Sequence, residues 1–146
     1  MKNLSNVIKE SFLFEEKKTL LSDHRLNEMS LISDYADKLP GGVKIYVYGE
    51  NDEQGTKVPH FHVEAENFIF EVHIKHIHNL DIWRTKKIDK KSNSNTWNGR
   101  ANIRKALLKW LDAKSHLIPN FTNAETVVTF WNGNNPNTRI TNSYKD

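Results

Sequence analysis

The sequence predicts an α+β fold: a small antiparallel β-meander of three or four strands packed on a C-terminal amphipathic helix, with extra N-terminal helices. Three observations carry this. Residues 58–74 alternate apolar and polar side chains, residues 103–111 place apolar side chains at helical spacing, and residues 4–39 show that spacing upstream. A chain of 146 residues suits one domain. No internal repeat divides it.

Residues 1–40 read as a helical segment. Leu4, Val7, Ile8 and Phe12 share one face, and Leu31, Ile32, Tyr35, Ala36 and Leu39 repeat the pattern. Ser22-Asp23 divides the segment, with Asp23 a candidate N-cap. Leu39-Pro40-Gly41-Gly42 ends it. A packing layer or a homodimer arm is the expected role.

Residues 43–83 read as antiparallel sheet. Val43, Ile45 and Val47 alternate with Lys44, Tyr46 and Tyr48, and a polar loop over 49–57 leads into a hairpin. With Glu66-Asn67 as the turn, Ala65 falls opposite Phe68, Val63 opposite Phe70 and Phe61 opposite Val72. All the apolar side chains then share one side. The other side sets His60 against His73 and His62 against Glu71. A further strand is expected around Ile77–Trp83, where Leu80 and Ile82 alternate with Asn79 and Asp81.

Residues 84–99 read as a basic and polar loop, from Arg84, Lys86, Lys87, Lys90 and Lys91 into an Asn/Ser run. Residues 100–132 read as helices. Ile103, Ala106, Leu107, Trp110 and Leu111 form a full apolar stripe expected to cover the hairpin, while Arg100, Arg104, Lys105, Lys109 and Lys114 face water. Thr122-Asn123-Ala124-Glu125 is a capping-box pattern for a last helix stopping near Gly133. Its Thr126–Trp131 run is also β-prone. Residues 133–146 read as a loose tail.

Composition narrows the chemistry. Hydrophobic residues make up 37% and the mean hydropathy is -0.70, so the chain reads as polar and soluble, with no apolar run of membrane-crossing length. The N-terminus lacks an apolar signal region, which makes a cytoplasmic location the default expectation. There is no cysteine, so disulfides, thiolate ligands and cysteine nucleophiles are excluded. The net charge of +3 permits nucleic-acid binding without requiring it.

Three readings of the hairpin's polar side stay open. The first is a divalent metal site built from His60, His62, Glu71 and His73. Such nitrogen and oxygen donors suit Zn, Mn, Fe or Ni, and an open position would activate water. The second is metal-free phosphoryl chemistry, with His60, His62 and His73 as acid/base candidates and Lys75 stabilising developing charge. Nucleic acid would be drawn by Arg84, Lys86, Lys87, Lys90, Lys91, Arg100, Arg104, Lys105 and Lys109, with Tyr46, Tyr48 and Trp83 as stacking candidates. The third is a polar sheet face whose histidines are satisfied by their neighbours. His60-x-His62-x3-Glu66 matches part of a cupin motif, but the glycines and second motif are missing. A histidine-triad hydrolase needs a third alternating His where Glu64 stands, and no nucleophile elbow or phosphate loop is present.

The order of an Ile45-Tyr46-Val47-Tyr48 strand, a polar loop, Pro59-His60-Phe61-His62-Val63, a partner strand and a Lys109-Trp110-Leu111 helix resembles a family of small bacterial proteins of unknown function. That family is marked by a PHFHV-type segment and often encoded beside toxin–antitoxin-like genes. The resemblance spans residues 43–131. The N-terminal segment, the loop over 50–57 and the Asn/Ser insertion depart from it. The family carries no settled activity, so the resemblance implies a setting and not a mechanism. The expected function is a non-enzymatic binding module of a toxin–antitoxin or defence-like system, contacting protein or nucleic acid, with no membrane role. The alternative is a metal-dependent or acid/base phosphodiesterase.

Overall fold

The computed structural model describes residues 29–33, 39–49, 58–88 and 96–145. The helices expected before residue 29, the loop over 50–57, and Lys90, Lys91 and the Asn/Ser run lie outside them. The described residues form an α+β fold with a five-stranded antiparallel sheet, in which each strand pairs with its sequence neighbour. The strands are β1 (Met29–Leu31), β2 (Lys44–Tyr48), β3 (His60–Ala65), β4 (Phe68–His73) and β5 (Ile82–Ile88), followed by helices α1 (Ala101–Asp112) and α2 (Asn123–Asn134). No helix among the described residues is long and apolar enough to cross a membrane.

The hairpin has the register its alternation requires. Phe61 pairs with Val72, Val63 with Phe70 and Ala65 with Phe68, while His60 pairs with His73 and His62 with Glu71. On β2, Ile45 pairs with Val63 and Tyr46 with His62, so the same two faces continue across three strands. Phe61, Val63, Phe70, Val72, Ile45 and Val47 are all fully buried on the apolar side. Fully burying one such side chain stabilises the fold by about 1.5–3 kcal/mol.

The sheet departs from the expected three or four strands in two ways. Met29–Leu31, read as helix, instead extends along β2, with Ser30 opposite Val47. Just past this strand the Ser33 hydroxyl accepts the Ile45 N–H at 2.9 Å. The strand expected at Ile77–Trp83 starts later, because Ile77–Asn79 is a 3-10 turn flanked by left-handed His76 and Leu80. The strand therefore falls on Ile82–Ile88 and takes in the start of the basic run read as loop.

The helical layer also differs from the expected single cover. Residues 123–131 of α2 are buried without interruption, its polar Asn123, Glu125, Thr126 and Thr129 each hydrogen-bonded within the layer, and the helix packs on β2 and β3. The stripe of α1, with Leu107, Trp110 and Leu111 buried, packs on α2 and on the turn at Pro40–Gly42. A helix buried on every side belongs inside, and an amphipathic one covers it from outside. The capping box is made: Thr122 Oγ1 accepts from Glu125 N at 3.2 Å, and Glu125 Oε1 accepts from Thr122 N at 3.0 Å. Thr122→Ala is expected to cost about 1 kcal/mol, seen as a fall of about 2–4 °C in thermal midpoint.

The tail is not loose. Ile140 and Tyr144 are buried. Asn132 and Ile140 exchange side-chain and backbone hydrogen bonds at 2.8 Å, and Trp131 Nε1 donates to the Thr138 carbonyl at 2.7 Å. Asn135 Nδ2 then donates to the Tyr48 carbonyl, tying the end of α2 to the sheet.

Candidate metal centre

Three of the expected ligand residues converge. One nitrogen from each of His60 and His62 and one carboxylate oxygen of Glu71 lie within 4.8 Å of one another. All three residues are buried, with Glu71 at 0% exposure. His60 Nε2 is 3.1 Å and His62 Nε2 is 3.6 Å from Glu71 Oε1. Two ligands about 2.1 Å from one tetrahedral ion stand about 3.4 Å apart. The two observed separations bracket that spacing.

The ring of His60 is oriented from behind. Its Nδ1–H donates to the Val58 carbonyl at 2.6 Å. With that proton placed, Nε2 is the ring atom that faces Glu71, positioned to donate a hydrogen bond to the carboxylate or to ligate a bound cation. A lone pair and a carboxylate oxygen repel at 3.1 Å unless a proton or a cation lies between them. A histidine fixed through one nitrogen by a backbone carbonyl is the usual support of a metal ligand. Aromatic rings wall the pair: Trp83 and Trp131 lie 5.1 and 5.3 Å from His60, and Tyr48 lies 4.2 Å from His62. Glu64 approaches His62 Nδ1 at 3.5 Å and accepts the Tyr48 hydroxyl at 2.9 Å.

Charge follows from this packing. Burial, reinforced by neighbouring His60, pushes the pKa of His62 down to about 3 although Glu71 pulls it up. One of its ring nitrogens thus offers a lone pair at neutral pH. Burial alone would raise Glu71, but hydrogen bonds from His60 and Arg84 outweigh it and hold the carboxyl at about 2. Arg84 grips both oxygens: Nε donates to Oε2, and Nη2 to Oε1 at 3.2 Å.

Two β-bulges in β5 assemble this side of the site. Arg84 pairs with Glu71 and Ile82 with Val72, which leaves Trp83 as an extra residue. Thr85 pairs with Phe70 and Lys87 with Ile69, which leaves Lys86 as another. Trp83 and Lys86 therefore reach the polar face beside Arg84 instead of alternating away from it. Arg84, expected only as part of a basic surface, instead clasps Glu71. Had the meander been continued through residue 84, cross-strand pairing with Glu71 would have been the signal.

Other expected site residues fall elsewhere. His73 pairs with His60 in the ladder but stays outside the converging group; its ring lies 6.3 Å from Trp83, and burial lowers its pKa against the pull of Asp81. Lys75 is exposed in the turn after β4, beyond the strand positions that form the cluster. Arg100 is no surface group: it is 8% exposed, its guanidinium lies 5.2 Å from the rings of Phe68 and Phe70, and Nη1 donates to the Thr96 carbonyl. Lys105 and Lys109 are exposed on α1, and Arg104 is half-buried there. His78 pairs with Asp112 at 2.8 Å on the surface. No family model, curated protein or solved structure matches the chain.

Proposed function

We propose that the chain is a non-enzymatic binding module whose structure is organised on a divalent metal held by His60, His62 and Glu71, in the toxin–antitoxin-like setting that the resemblance implies. The observation that carries the reading is the convergence of two imidazoles and one carboxylate within 4.8 Å, with His60 oriented by Val58. The donor set suits Zn, Mn, Fe or Ni. Ligand burial favours a metal that is held over one that exchanges substrates. Metal-free acid/base cleavage fits poorly, because ionised Glu71 sits between the two imidazoles and would repel a phosphate.

Thermal unfolding with each of these ions tests the proposal. An ion at about 100 times its Kd adds about 2.7 kcal/mol of stability, which raises the midpoint by several degrees. The rise is expected in the wild type and absent in His62→Ala. An equal rise in both proteins, or none in either, would count against the site.

One observation favours a metal-dependent phosphodiesterase as the second reading. Arg84, with a side chain 49% exposed, borders the cluster where a phosphate would approach a bound metal. Metal-dependent release of p-nitrophenol from bis(p-nitrophenyl) phosphate, lost in His62→Ala, would move the assignment to an enzyme.

A further inference from the structure

The polar face of the sheet carries a second feature, which shares Arg84, Tyr48 and Trp83 with the surroundings of the metal cluster. Lys44, Lys86 and Lys87 are exposed there, and Arg84 is half-exposed. Lys44 pairs with Glu64 and Lys87 with Ile69, which places both on the side of the sheet that holds His62 and Glu71. The cations on that side outnumber the carboxylates, Glu64 and Glu71, and buried Glu71 is already clasped by Arg84. The outward charge of this face is therefore positive.

Partly exposed aromatic rings alternate with those cations. Tyr46 and Tyr48 lie 6.1 Å apart, Lys86 Nζ stands 5.8 Å from the Tyr48 ring, and the Arg84 guanidinium stacks 4.2 Å over Trp83. Cations alone would suit any polyanion, including an acidic peptide. Cations interleaved with rings on an antiparallel sheet suit bases that stack and phosphates that pair. Duplexes fit less well, since no described helix or ribbon projects from this face to enter a groove. The exposed lysines of α1 belong to a different surface, because α1 packs on α2, on the far side of the buried apolar core.

From this arrangement we infer that the β2–β5 polar face, through Lys44, Tyr46, Tyr48, Arg84, Lys86 and Lys87, binds single-stranded nucleic acid. The α1 lysines take no part. The expected nucleic-acid surface thereby contracts to one face.

The test is fluorescence anisotropy of the full-length chain with a labelled oligothymidylate of about 12 nucleotides, within the span of single-strand sites. A duplex of equal length serves as comparison, with and without chelator. The single strand is expected to bind more tightly than the duplex, with or without metal. Its affinity should fall as salt rises, with a slope of about -0.7 per phosphate neutralised. Lys86→Glu combined with Lys87→Glu is expected to weaken binding at least about tenfold and flatten the slope by about 1.4. Lys105→Glu combined with Lys109→Glu, also on exposed side chains, should leave binding unchanged. Absence of binding at low salt, tighter binding of the duplex, or equal losses from both double variants would overturn the proposal. Loss of binding in chelator alone would assign the contact to the metal instead of the sheet face.

Discussion

Glu71→Ala is expected to remove metal binding and to destabilise the metal-free protein by about 2–4 kcal/mol. The carboxylate is the hub of the polar face: it meets His60, His62 and both donor groups of Arg84 from a fully buried position. Deleting it leaves His60 Nε2 facing a cavity and forfeits charge-assisted hydrogen bonds worth about 1.5–3 kcal/mol in this kind of setting. The larger penalties of breaking a sealed ion pair do not apply in full, because Arg84 is half-exposed and water takes up part of its charge. Glu71→Gln separates the two contributions. It keeps the shape and one acceptor oxygen, so it should cost about half as much stability while still losing the metal. Chemical denaturation in chelator measures the first effect, and metal titration the second. If Glu71→Ala unfolds at the wild-type denaturant midpoint, the carboxylate is not the hub described here.

Acidification is expected to weaken the fold from well above the carboxylate range. His62 ordinarily protonates near 6.5 but is held to about 3 in the folded chain. Above pH 6.5 both folded and unfolded chains carry it neutral, and its contribution is constant. Below 6.5 the unfolded chain takes up a proton that the folded chain refuses, so stability falls at up to about 1.4 kcal/mol per pH unit. By about pH 4.5 the loss reaches about 2–3 kcal/mol. Glu71 then acts in the same direction, since its pKa of about 2 lies below the ordinary 4.5 and the folded chain loses the ionised form last. His73, also lowered, adds to the trend. Urea unfolding in chelator between pH 7 and pH 4.5 should show this slope in the wild type. His62→Gln should flatten it. A wild-type stability that stays level over that interval would mean that His62 is not held neutral.

The parts of this architecture legible in the sequence are those set by local chemistry. The hairpin was readable because Glu66-Asn67 and strict alternation leave one register that gathers Phe61, Val63, Phe70 and Val72 on one face. That same register placed His62 against Glu71. The Thr122 capping box and the Trp110 stripe are likewise local signals. The missed features depend on contacts remote in sequence. β5 is rich in Arg and Lys and interrupted by two bulges, so its period-two signal is broken, and its composition resembles a solvated loop. Met29–Leu31 is too short to show a strand period, and Leu31 and Ile32 fit helical spacing equally well. Arg100 looks like surface until the rings of Phe68 and Phe70 are placed beneath it. The tail's order rests on Ile140 reaching back to Asn132.

Elemental mass spectrometry on untagged protein, purified without chelator, addresses the metal centre most directly. Wild type is expected to carry about one divalent ion per chain, as a site of three protein ligands implies. His60→Ala and the shape-preserving Glu71→Gln should both lose it. A wild type free of metal that also takes up none of Zn, Mn, Fe or Ni on dialysis would contradict the account. So would an ion retained at equal content in both variants.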